Sequence, residues 1–589
     1  MGRDSLEDLL RRLPPHGIHR RQLTHYRADR THGAEPYGQV PVRLLEETRK
    51  VLEGSGLKPC QIGRCSLRRE RGLSARHRKR PYAWAALRRA SHVTDVRRYA
   101  GRLASGCLSG PGRGALIAGA RAGFLPTIGR HMLADTRTAL PAQRRATALA
   151  DHRAFMVLLA LAAALRLVTM LGYRPATLYW YDSFTYLDTA VHPAPSATFH
   201  PIGYPLLLRA LLPFHNVDLI AAVQHTLGLA TAILLYAVLR RRSAPAWPAT
   251  TATAPLLLDA SFLRLEHAVL SDTQFIFLIT AALAALLWNP TLSLRATATA
   301  GLLFAAATLT RTIALPLLLL VGLVLAAQRA GLRRLTALTV AAALPLSGYA
   351  TWYAVCHGRF AISGADGVAL WARTMTFADC VRIQPPPDLA VLCPNGTTTD
   401  AASEYVWAPQ ASLNRLPGDR FTHNGLARSF AIRAILAQPL DYLADVATDT
   451  AIAFSWTPIA HPVRVTPAFG FGHGHGDLPA QPLIDKVTRE YDPDIRGQSS
   501  VSPYADLLIA YQYVAYLRGP LLGAILLLGA AAIRRPRVAL LPWVVAIGLL
   551  VGPVAVLDFD HRYVLPVIPV ACLAAGLFRA IPYRMVRSR

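Results

Sequence analysis

The chain has few charged residues for its length: only 17% of its 589 residues are charged, while 52% are hydrophobic. Lysine is especially scarce, and arginine supplies nearly all of the 63 Lys and Arg side chains. So apolar a composition excludes an ordinary large soluble protein. The sequence also lacks a P-loop, a dinucleotide-binding fingerprint, a nucleophile elbow and paired Cys-x-x-Cys motifs. A polytopic membrane protein is the class that this composition predicts.

The net charge of +28 is distributed unevenly along the chain. Residues 1–153 hold 31 Lys and Arg against 12 Asp and Glu, a net +19, and most of the remaining +9 lies in short clusters at the ends of apolar segments. Region 1–150 shows no sustained helical or strand periodicity, so we interpret it as a disordered cytoplasmic extension or as a stretch translated from an over-early start. A basic tail that binds anionic lipid or nucleic acid is the alternative, but no nucleic-acid partner is expected. No signal-peptide pattern opens the chain.

Apolar runs of about 20 residues, enough to cross a bilayer of about 30 Å, recur from residue 154 onwards. Under the positive-inside rule, the arginine clusters between them place the basic N-terminus inside. We therefore expect a multi-pass protein of the inner (plasma) membrane with its active site facing outside. The expected domains are a membrane region with catalytic outer loops (151–355), a small extracytoplasmic loop domain (356–516) and C-terminal membrane helices with a basic tail (517–589). The fold is predicted to be all-α with about ten transmembrane helices, near 154–172, 217–239, 246–263, 272–288, 296–310, 312–328, 336–355, 517–533, 538–557 and 563–580.

The outer segment 356–516 is too polar to span a membrane and contains two cysteines that flank a run of three prolines. In an oxidising compartment, a bridge between Cys380 and Cys393 would stabilise the fold by about 3 kcal/mol. The sequence therefore predicts a disulfide here, with two free thiols as the alternative. Residues 421–442 show an interrupted amphipathic pattern, which predicts a helix in the plane of the outer membrane surface.

Two carboxylates follow the first predicted span, within Tyr179-Trp-Tyr-Asp-Ser-Phe-Thr-Tyr-Leu-Asp188. Acidic groups beside a bilayer are costly unless they serve a function, so Asp182 is the leading candidate for a catalytic base. The alternative is that Asp182 caps a short helix that begins at Ser183. Asp188 is a substrate-binding candidate that could equally face solvent.

The motif His200-Pro-Ile-Gly-Tyr-Pro205 breaks the chain before the next apolar stretch. His200 and Tyr204 are candidates for binding the phosphate or the sugar of a substrate. The alternative for His200 is an interfacial histidine that is hydrogen-bonded to the backbone.

A short outer loop is predicted over Arg264-Leu-Glu-His-Ala-Val-Leu-Ser-Asp272. Glu266 and Asp272 are expected to bind hydroxyl groups or a divalent cation, Mg or Mn, while Arg264 and His267 can meet an anion. Asp272 has a simpler alternative role as the cap of the next span. Glu266 has the stronger claim because no helix start explains it.

Two arginines mark further anion-binding candidates. Arg311 interrupts an apolar stretch, and a guanidinium at membrane depth normally pairs with an acid or a phosphate. The last outer loop, Asp558-Phe-Asp-His-Arg-Tyr563, offers His561 and Arg562 to an oxyanion and Tyr563 as a hydroxyl donor. The competing interpretation pairs Arg562 with Asp558 or Asp560.

Taken in order, these motifs resemble those of the polytopic GT-C glycosyltransferases. The residues that carry the resemblance are Tyr181-Asp-Ser-Phe-Thr-Tyr-Leu187, His200-Pro-Ile-Gly-Tyr-Pro205, Leu270-Ser-Asp272, Leu309-Thr-Arg311 and Asp560-His-Arg-Tyr563 with Pro566. The most similar subgroup is the bacterial enzymes related to protein mannosyltransferases and lipid A aminoarabinose transferases. The resemblance covers about residues 154–580.

The resemblance implies transfer of a sugar from a polyprenyl-phosphate donor to a glycan, lipid or protein acceptor at the outer face of the membrane. It assigns the catalytic base to Asp182, a second acidic role to Glu266, and recognition of the lipid phosphate to Arg311 and Arg562. The chain departs from the family because Asp182 is followed by Ser183 rather than by a second acid, which leaves metal dependence open. The competing class is a transporter or flippase of a lipid-linked or envelope precursor. The absence of an internal repeat, and the gathering of polar residues at one face, favour the enzyme.

Overall fold

Helices dominate the computed structural model, which describes residues 152–463, 470–478, 480–534 and 537–579. The predicted extension 1–150 and the tail 580–589 lie outside these residues. A helix satisfies its own backbone hydrogen bonds, so long apolar runs without turn residues favour it. The helices are, in chain order, α1 His152–Gly172, α2 Trp180–Val191, α3 Gly203–Leu211, α4 Val217–Arg241, α5 Ala246–Leu258, α6 Ala260–His267, α7 Asp272–Leu287, α8 Leu294–Thr310, α9 Ala314–Ala327, α10 Leu332–His357, α11 Asp366–Thr374, α12 Cys380–Ile383, α13 Pro387–Ala390, α14 Ala402–Trp407, α15 Asn424–Ala437, α16 Pro439–Ile452, α17 Pro482–Glu490, α18 Tyr504–Gln512, α19 Gly519–Ile533, α20 Leu540–Val556, α21 His561–Val564 and α22 Val567–Gly576.

Among the residues that the structure describes, two helices are long and apolar enough to cross a membrane by length and composition. They are α1, with 21 residues and a mean hydropathy of 2.3, and α4, with 25 residues and a mean hydropathy of 1.6. The predicted all-α class is confirmed. Shorter apolar helices coincide with most of the other predicted spans: α7, α8, α9, α19, α20 and the stretch His561–Gly576.

The apolar stretch around Arg311 forms two helices, as the sequence predicts. Helix α8 ends at Thr310 and α9 begins at Ala314, and Arg311 between them has an extended backbone with φ −147° and ψ 125°. The break places Arg311 at the ends of two apolar helices, where its side chain can reach the outer loops.

The predicted span 246–263 is wrong as one helix, because it is divided at Asp259. The Asp259 carboxylate accepts a hydrogen bond of 2.7 Å from the backbone N–H of Ser261 and so caps a new helix, α6. Helix α6 then continues to His267, so Glu266 lies on a helix and not in the predicted loop. The last predicted span is likewise divided, between α21 and α22.

The first half of the outer segment packs around a core of its own. Helices α11 and α15 face each other in this unit, with α12, α13 and α14 around them. A disulfide between Cys380 and Cys393, with a Cα–Cα distance of 6.1 Å, joins α12 to the residues after α13. The predicted amphipathic helix over 421–442 is divided at Gln438, before a helix-starting proline. Part of its apolar face lies in the core of the unit, which includes Val368, Trp371, Ala427, Phe430, Ala431 and Ala434.

The second half of the outer segment packs against the membrane region instead. Helix α17 contacts α2, and α18 contacts α6. Two short strands, β1 Tyr173–Arg174 and β2 Ser499–Ser500, pair antiparallel with Tyr173 opposite Ser500. These contacts bring the outer segment back to the first outer loop, which carries the leading site candidate.

Candidate active site

Asp182 lies in the first turn of α2 with its carboxylate available for tertiary contacts. Helix α2 begins at Trp180, and the Oγ of Ser183 accepts a hydrogen bond of 2.7 Å from the backbone N–H of Tyr179. Tyr179 is therefore the N-cap, and the alternative that Asp182 caps a helix starting at Ser183 is wrong. About a quarter of the Asp182 side chain, 27%, is exposed.

Each oxygen of Asp182 faces a different partner. Nη1 of Arg562 lies 3.2 Å from Oδ2, and Nε2 of His200 lies 3.4 Å from Oδ1. The first and the last predicted outer loops thus meet at one acidic centre.

His200 is set into this centre by aromatic packing. Its ring meets Tyr186 edge-on at 4.6 Å, and its Nδ1 is buried with no hydrogen-bond partner among the described residues. Burial lowers the pKa of His200, against the opposing effect of Asp182, so the ring is neutral near neutral pH. In the neutral tautomer with the proton on Nε2, the nitrogen that faces Asp182, Nδ1 is an acceptor.

Arg562 is oriented by the loop that carries it. The carboxylate of Asp560 accepts a hydrogen bond of 2.9 Å from the backbone N–H of Arg562, which starts α21, and also lies 2.9 Å from its Nε. The guanidinium lies over the rings of Tyr179 and Tyr563, at 5.3 Å from each. The predicted pairing of Arg562 with an acid of its own loop is therefore present for Asp560. Asp558 has other partners.

Arg311 reaches the same place from the other side of Tyr563. Its guanidinium lies 5.0 Å from the centre of the Tyr563 ring, and its Nη1 pairs with Oδ1 of Asp272. Asp272 is only 1% exposed, and its other oxygen, Oδ2, has no hydrogen-bond partner among the described residues. Asp272 thus does more than start α7: it pairs with Arg311 in the interior.

The centre holds two guanidiniums and three carboxylates. Arg562 is shared between Asp182 and Asp560, while Arg311 has only Asp272 as a hydrogen-bonding side-chain partner in the described part of the chain. A guanidinium has five N–H donors in a planar fork, so Arg311 keeps donors that an anion can use. A carboxylate that can take a proton therefore lies beside guanidiniums that can bind an oxyanion.

Glu266 is not part of this centre. It is 1% exposed, and its two oxygens lie 2.8 Å from Nη2 of Arg166 and 2.9 Å from Nδ1 of His225. Close packing holds it there, since a Cβ on Gly228 would come within 1.9 Å of its Oε1. The structure places Glu266 in a buried ion pair among α1, α4 and α6, and its second catalytic role stays a prediction.

His267 faces the interior as well. Its Nε2 lies 3.0 Å from the backbone oxygen of Tyr173, and its Nδ1 lies 3.4 Å from His225. Burial lowers the pKa of His267 to about 3, so the ring carries no charge with which to meet an anion near neutral pH. The structure therefore has a buried helix end where the sequence predicts a short outer loop.

Three other candidates lie around the centre without touching Asp182. Asp188 pairs with Lys486 of α17 at 2.7 Å. The hydroxyl of Tyr204 donates a 2.9 Å hydrogen bond to Gln224. His561 accepts one of 3.0 Å from the backbone N–H of Ile459. Of the predicted substrate-binding set, the structure gathers His200, Asp272, Arg311, Arg562 and Tyr563 around Asp182.

Tyr186 is a residue of the centre that the sequence argument missed. Its ring contacts His200 and, at 4.9 Å, Tyr204, and its hydroxyl lies 3.0 Å from Oγ of Ser271. The available signal was its spacing, since Tyr186 follows Asp182 by four residues and so lies on the same face of α2.

In the described part of the chain, two groups of side chains have ligating atoms within 4.8 Å of one another, close enough for a metal ion: Asp188, His192 and Glu490, and Asp449, His461 and Asp558. Neither group contains Asp182, and both already hold cationic side chains. Lys486 forms an ion pair with Asp188 at 2.7 Å, and Arg373 forms one with Asp449 at 2.5 Å. The expected Mg or Mn site stays a prediction.

A scan against protein-family models finds no match, and a search of curated proteins finds none either. Among solved structures, the chain is similar to the S. cerevisiae protein O-mannosyltransferase complex bound to the sugar donor, with 14% identity and a TM-score of 0.27. That match covers 42% of this chain and 38% of the other. The apo oligosaccharyltransferase of Archaeoglobus fulgidus matches with 12% identity and a TM-score of 0.34, over 72% of this chain and 50% of the other.

A third similar structure is ArnT from Cupriavidus metallidurans bound to undecaprenyl phosphate, with 14% identity and a TM-score of 0.30. The match covers 72% of this chain and 77% of the other. The chain thus spans well under two thirds of the mannosyltransferase and oligosaccharyltransferase chains that it matches. These solved structures are GT-C glycosyltransferases, the kind of protein that the sequence motifs resemble.

Proposed function

We propose that this protein is a membrane glycosyltransferase that moves a sugar from a polyprenyl-phosphate donor to a glycan, lipid or protein acceptor outside the membrane. The observation that carries the proposal is the position of Asp182 between His200 and Arg562, with Arg311 on the other side of Tyr563. A base and a pair of oxyanion-binding groups are what transfer from a phosphate-linked donor requires.

In the proposed reaction, Asp182 takes the proton from an acceptor hydroxyl while the hydroxyl oxygen attacks the anomeric carbon of the sugar. The bond between that carbon and the phosphate oxygen breaks, and the lipid phosphate leaves with the bonding electrons. Negative charge grows on the leaving phosphate, so guanidiniums fixed beside it stabilise the transition state more than the ground state. Asp182 then returns its proton to solvent.

Two buried acceptors support a hydroxylated ligand at this place. Nδ1 of His200 and Oδ2 of Asp272 have no hydrogen-bond partners among the described residues. A buried acceptor that stays unpaired costs about 1–3 kcal/mol, so a donor hydroxyl that reaches it is favoured by a similar amount. Sugar hydroxyl groups are suitable donors.

The placement in the membrane belongs to the same proposal. We assign about ten spans, because shorter apolar helices accompany α1 and α4 and can cross a bilayer that thins locally around them. The arginine clusters lie at alternate ends of these helices, which supports an inner-membrane protein with Asp182 outside.

The direct test is a transfer assay on the full chain in proteoliposomes. Polyprenyl-phosphate sugars with undecaprenyl and dolichyl chains form the donor panel, and release of the lipid phosphate is measured together with labelled acceptor. We expect release that requires acceptor and is lost in Asp182→Asn. The matched control is Asp441→Asn, which removes an exposed ion pair with Arg382.

The same vesicles separate the competing function. A labelled donor that crosses the bilayer without any sugar transfer would favour a transporter or flippase and contradict the enzyme. Chelation with EDTA followed by addition of Mg²⁺ or Mn²⁺ decides whether transfer requires a divalent cation.

A further inference from the structure

Asp558 is a buried carboxylate that the proposed reaction does not use. It is 3% exposed and accepts four hydrogen bonds. Its Oδ1 accepts from Nε2 of His461 at 2.8 Å and from the backbone N–H of Phe559 at 2.7 Å. Its Oδ2 accepts from the backbone N–H of Ser403 at 3.0 Å and from the Ser403 hydroxyl at 2.8 Å.

Ser403 and His461 belong to two separate parts of the outer segment. Ser403 lies on α14 in the disulfide-containing unit, and His461 follows α16. A neighbouring contact repeats the connection, because the backbone N–H of Ile459 donates to Nε2 of His561 at 3.0 Å. The last outer loop is therefore attached to the outer segment at both Asp558 and His561.

The carboxylate of Asp558 is committed to these donors. Arg373 contacts the neighbouring acids, with Nη2 2.7 Å from Asp445 and Nη1 2.5 Å from Asp449. The bonds at Asp558 are thus directional links between chain segments, and charge-assisted bonds of this kind are among the strong ones.

The attached loop carries Arg562, one of the two arginines of the candidate site. Two residues after Asp558, Asp560 starts α21 and binds both the backbone and the Nε of Arg562. Arg562 in turn lies 3.2 Å from Asp182. The position at which the loop is attached therefore determines where the guanidinium lies.

We propose that Asp558 is a positioning residue: it fastens the last outer loop to the outer segment and thereby holds Arg562 against Asp182. The outer segment then contributes to the site without touching substrate. The kinetic part of this inference rests on the proposed glycosyltransferase function, whereas the structural part does not.

Hydrogen–deuterium exchange on the full chain in nanodiscs tests the structural part without any substrate. In Asp558→Asn, we expect amides of residues 557–564 to exchange about 10- to 100-fold faster than in the unsubstituted protein, because charge-assisted bonds to a buried group are lost. Asp441→Asn, which removes an exposed ion pair in the outer segment, is the matched control and should leave this peptide unchanged. Ser403→Ala removes only the hydroxyl donor and should therefore give a smaller increase in the exchange rate of residues 557–564. This variant replaces Asp558→Asn in the test if Asp558→Asn does not fold.

Kinetics and metal binding complete the test. Both variants should lower kcat and weaken donor binding together, and the effect of Arg562→Lys should be smaller in an Asp558→Asn background, because Arg562 is already displaced there. Unchanged exchange of 557–564 in Asp558→Asn and Ser403→Ala would overturn the proposal. The proposal would also be overturned if Mn²⁺ alone stabilised the unsubstituted protein but not Asp558→Asn. The group of Asp449, His461 and Asp558 would then be a cation site. Absence of transfer with every donor, together with the expected exchange pattern, would refute the enzyme function and leave the positioning role standing.

Discussion

Nη1 of Arg562 lies 3.2 Å from Oδ2 of Asp182, although 380 residues separate them in the chain. The contact joins the first outer loop to the last. It also places a guanidinium beside the residue proposed as the base, so the charge that binds a leaving phosphate and the carboxylate that takes the proton are adjacent. Substitutions at either position should therefore affect the same chemical step.

Replacing Asp182 by Asn removes the proton acceptor and keeps the shape of the side chain. We expect transfer to fall about 10²-fold or more, the scale of general base catalysis, while expression and membrane insertion stay normal. Turnover of the donor in proteoliposomes measures the effect, and Asp441→Asn provides the control. Near-normal turnover by a well-folded Asp182→Asn protein would refute the assignment.

Replacing Arg311 or Arg562 by Lys keeps the positive charge but removes the planar fork of donors. Arg311→Lys should raise KM for the donor by about 10-fold or more, because charged hydrogen bonds contribute about 1.5–3 kcal/mol. Arg562→Lys should lower kcat as well, since Arg562 also contacts Asp182. Equal donor affinity in both variants and the unsubstituted protein would exclude phosphate binding at this site.

The sequence predicts the helical class and most of the site, because both depend on local patterns. Apolar run length predicts the apolar helices, and the positions of Asp182, Arg311 and Arg562 at the ends of such runs indicate side chains that need a partner. Their meeting could be expected because the sequence predicts all of these loops on the same side of the membrane.

Other features depend on contacts that no local pattern carries. Glu266 seemed exposed by its place between two apolar runs, but the capping carboxylate of Asp259 starts a helix that turns Glu266 inward to Arg166. That pairing joins residues 100 positions apart. The attachment of Asp558 to His461 and Ser403 is equally non-local.

Glu266→Gln should behave as a structural substitution. Removing one partner of a buried ion pair leaves Arg166 uncompensated and costs about 3–5 kcal/mol, so we expect a large loss of thermal stability in detergent and near-normal transfer per folded molecule. Gly228→Ala is a second variant with the same expected result, because its Cβ would come within 1.9 Å of Oε1 of Glu266. A stable Glu266→Gln protein that has lost transfer would support the second catalytic role instead.

The disulfide between Cys380 and Cys393 should be detectable by peptide mapping under non-reducing conditions. The bridge closes a loop with a sequence separation of 13, and the chain-entropy model gives about 3 kcal/mol for a loop of this size. We expect Cys380→Ser with Cys393→Ser to loosen the unit around Trp371. Recovery of both cysteines as alkylatable thiols would contradict the bridge and the outer placement of the segment.

The attachment of the last outer loop should depend on pH through His461 and Asp558. The hydrogen bond to Asp558 raises the pKa of His461 above its usual 6.5, against the effect of burial, with further contributions from Asp449 and Asp400. Burial alone would raise the pKa of Asp558, but the bonds from His461 and Ser403 outweigh it and lower the pKa below 3.8.

The two shifts act at opposite ends of the pH range. A raised histidine pKa stabilises the fold fully below about pH 6.5, and this contribution is lost as the pH rises through the raised value. A lowered carboxylate pKa stabilises the fold above about pH 3.8, and this contribution is lost as the pH falls through the lowered value. Thermal unfolding of the full chain between pH 4 and pH 9 should therefore show a fall in stability above about pH 6.5 that is weakened in His461→Asn. An identical pH profile for the two proteins would show that the His461–Asp558 pair does not stabilise the loop.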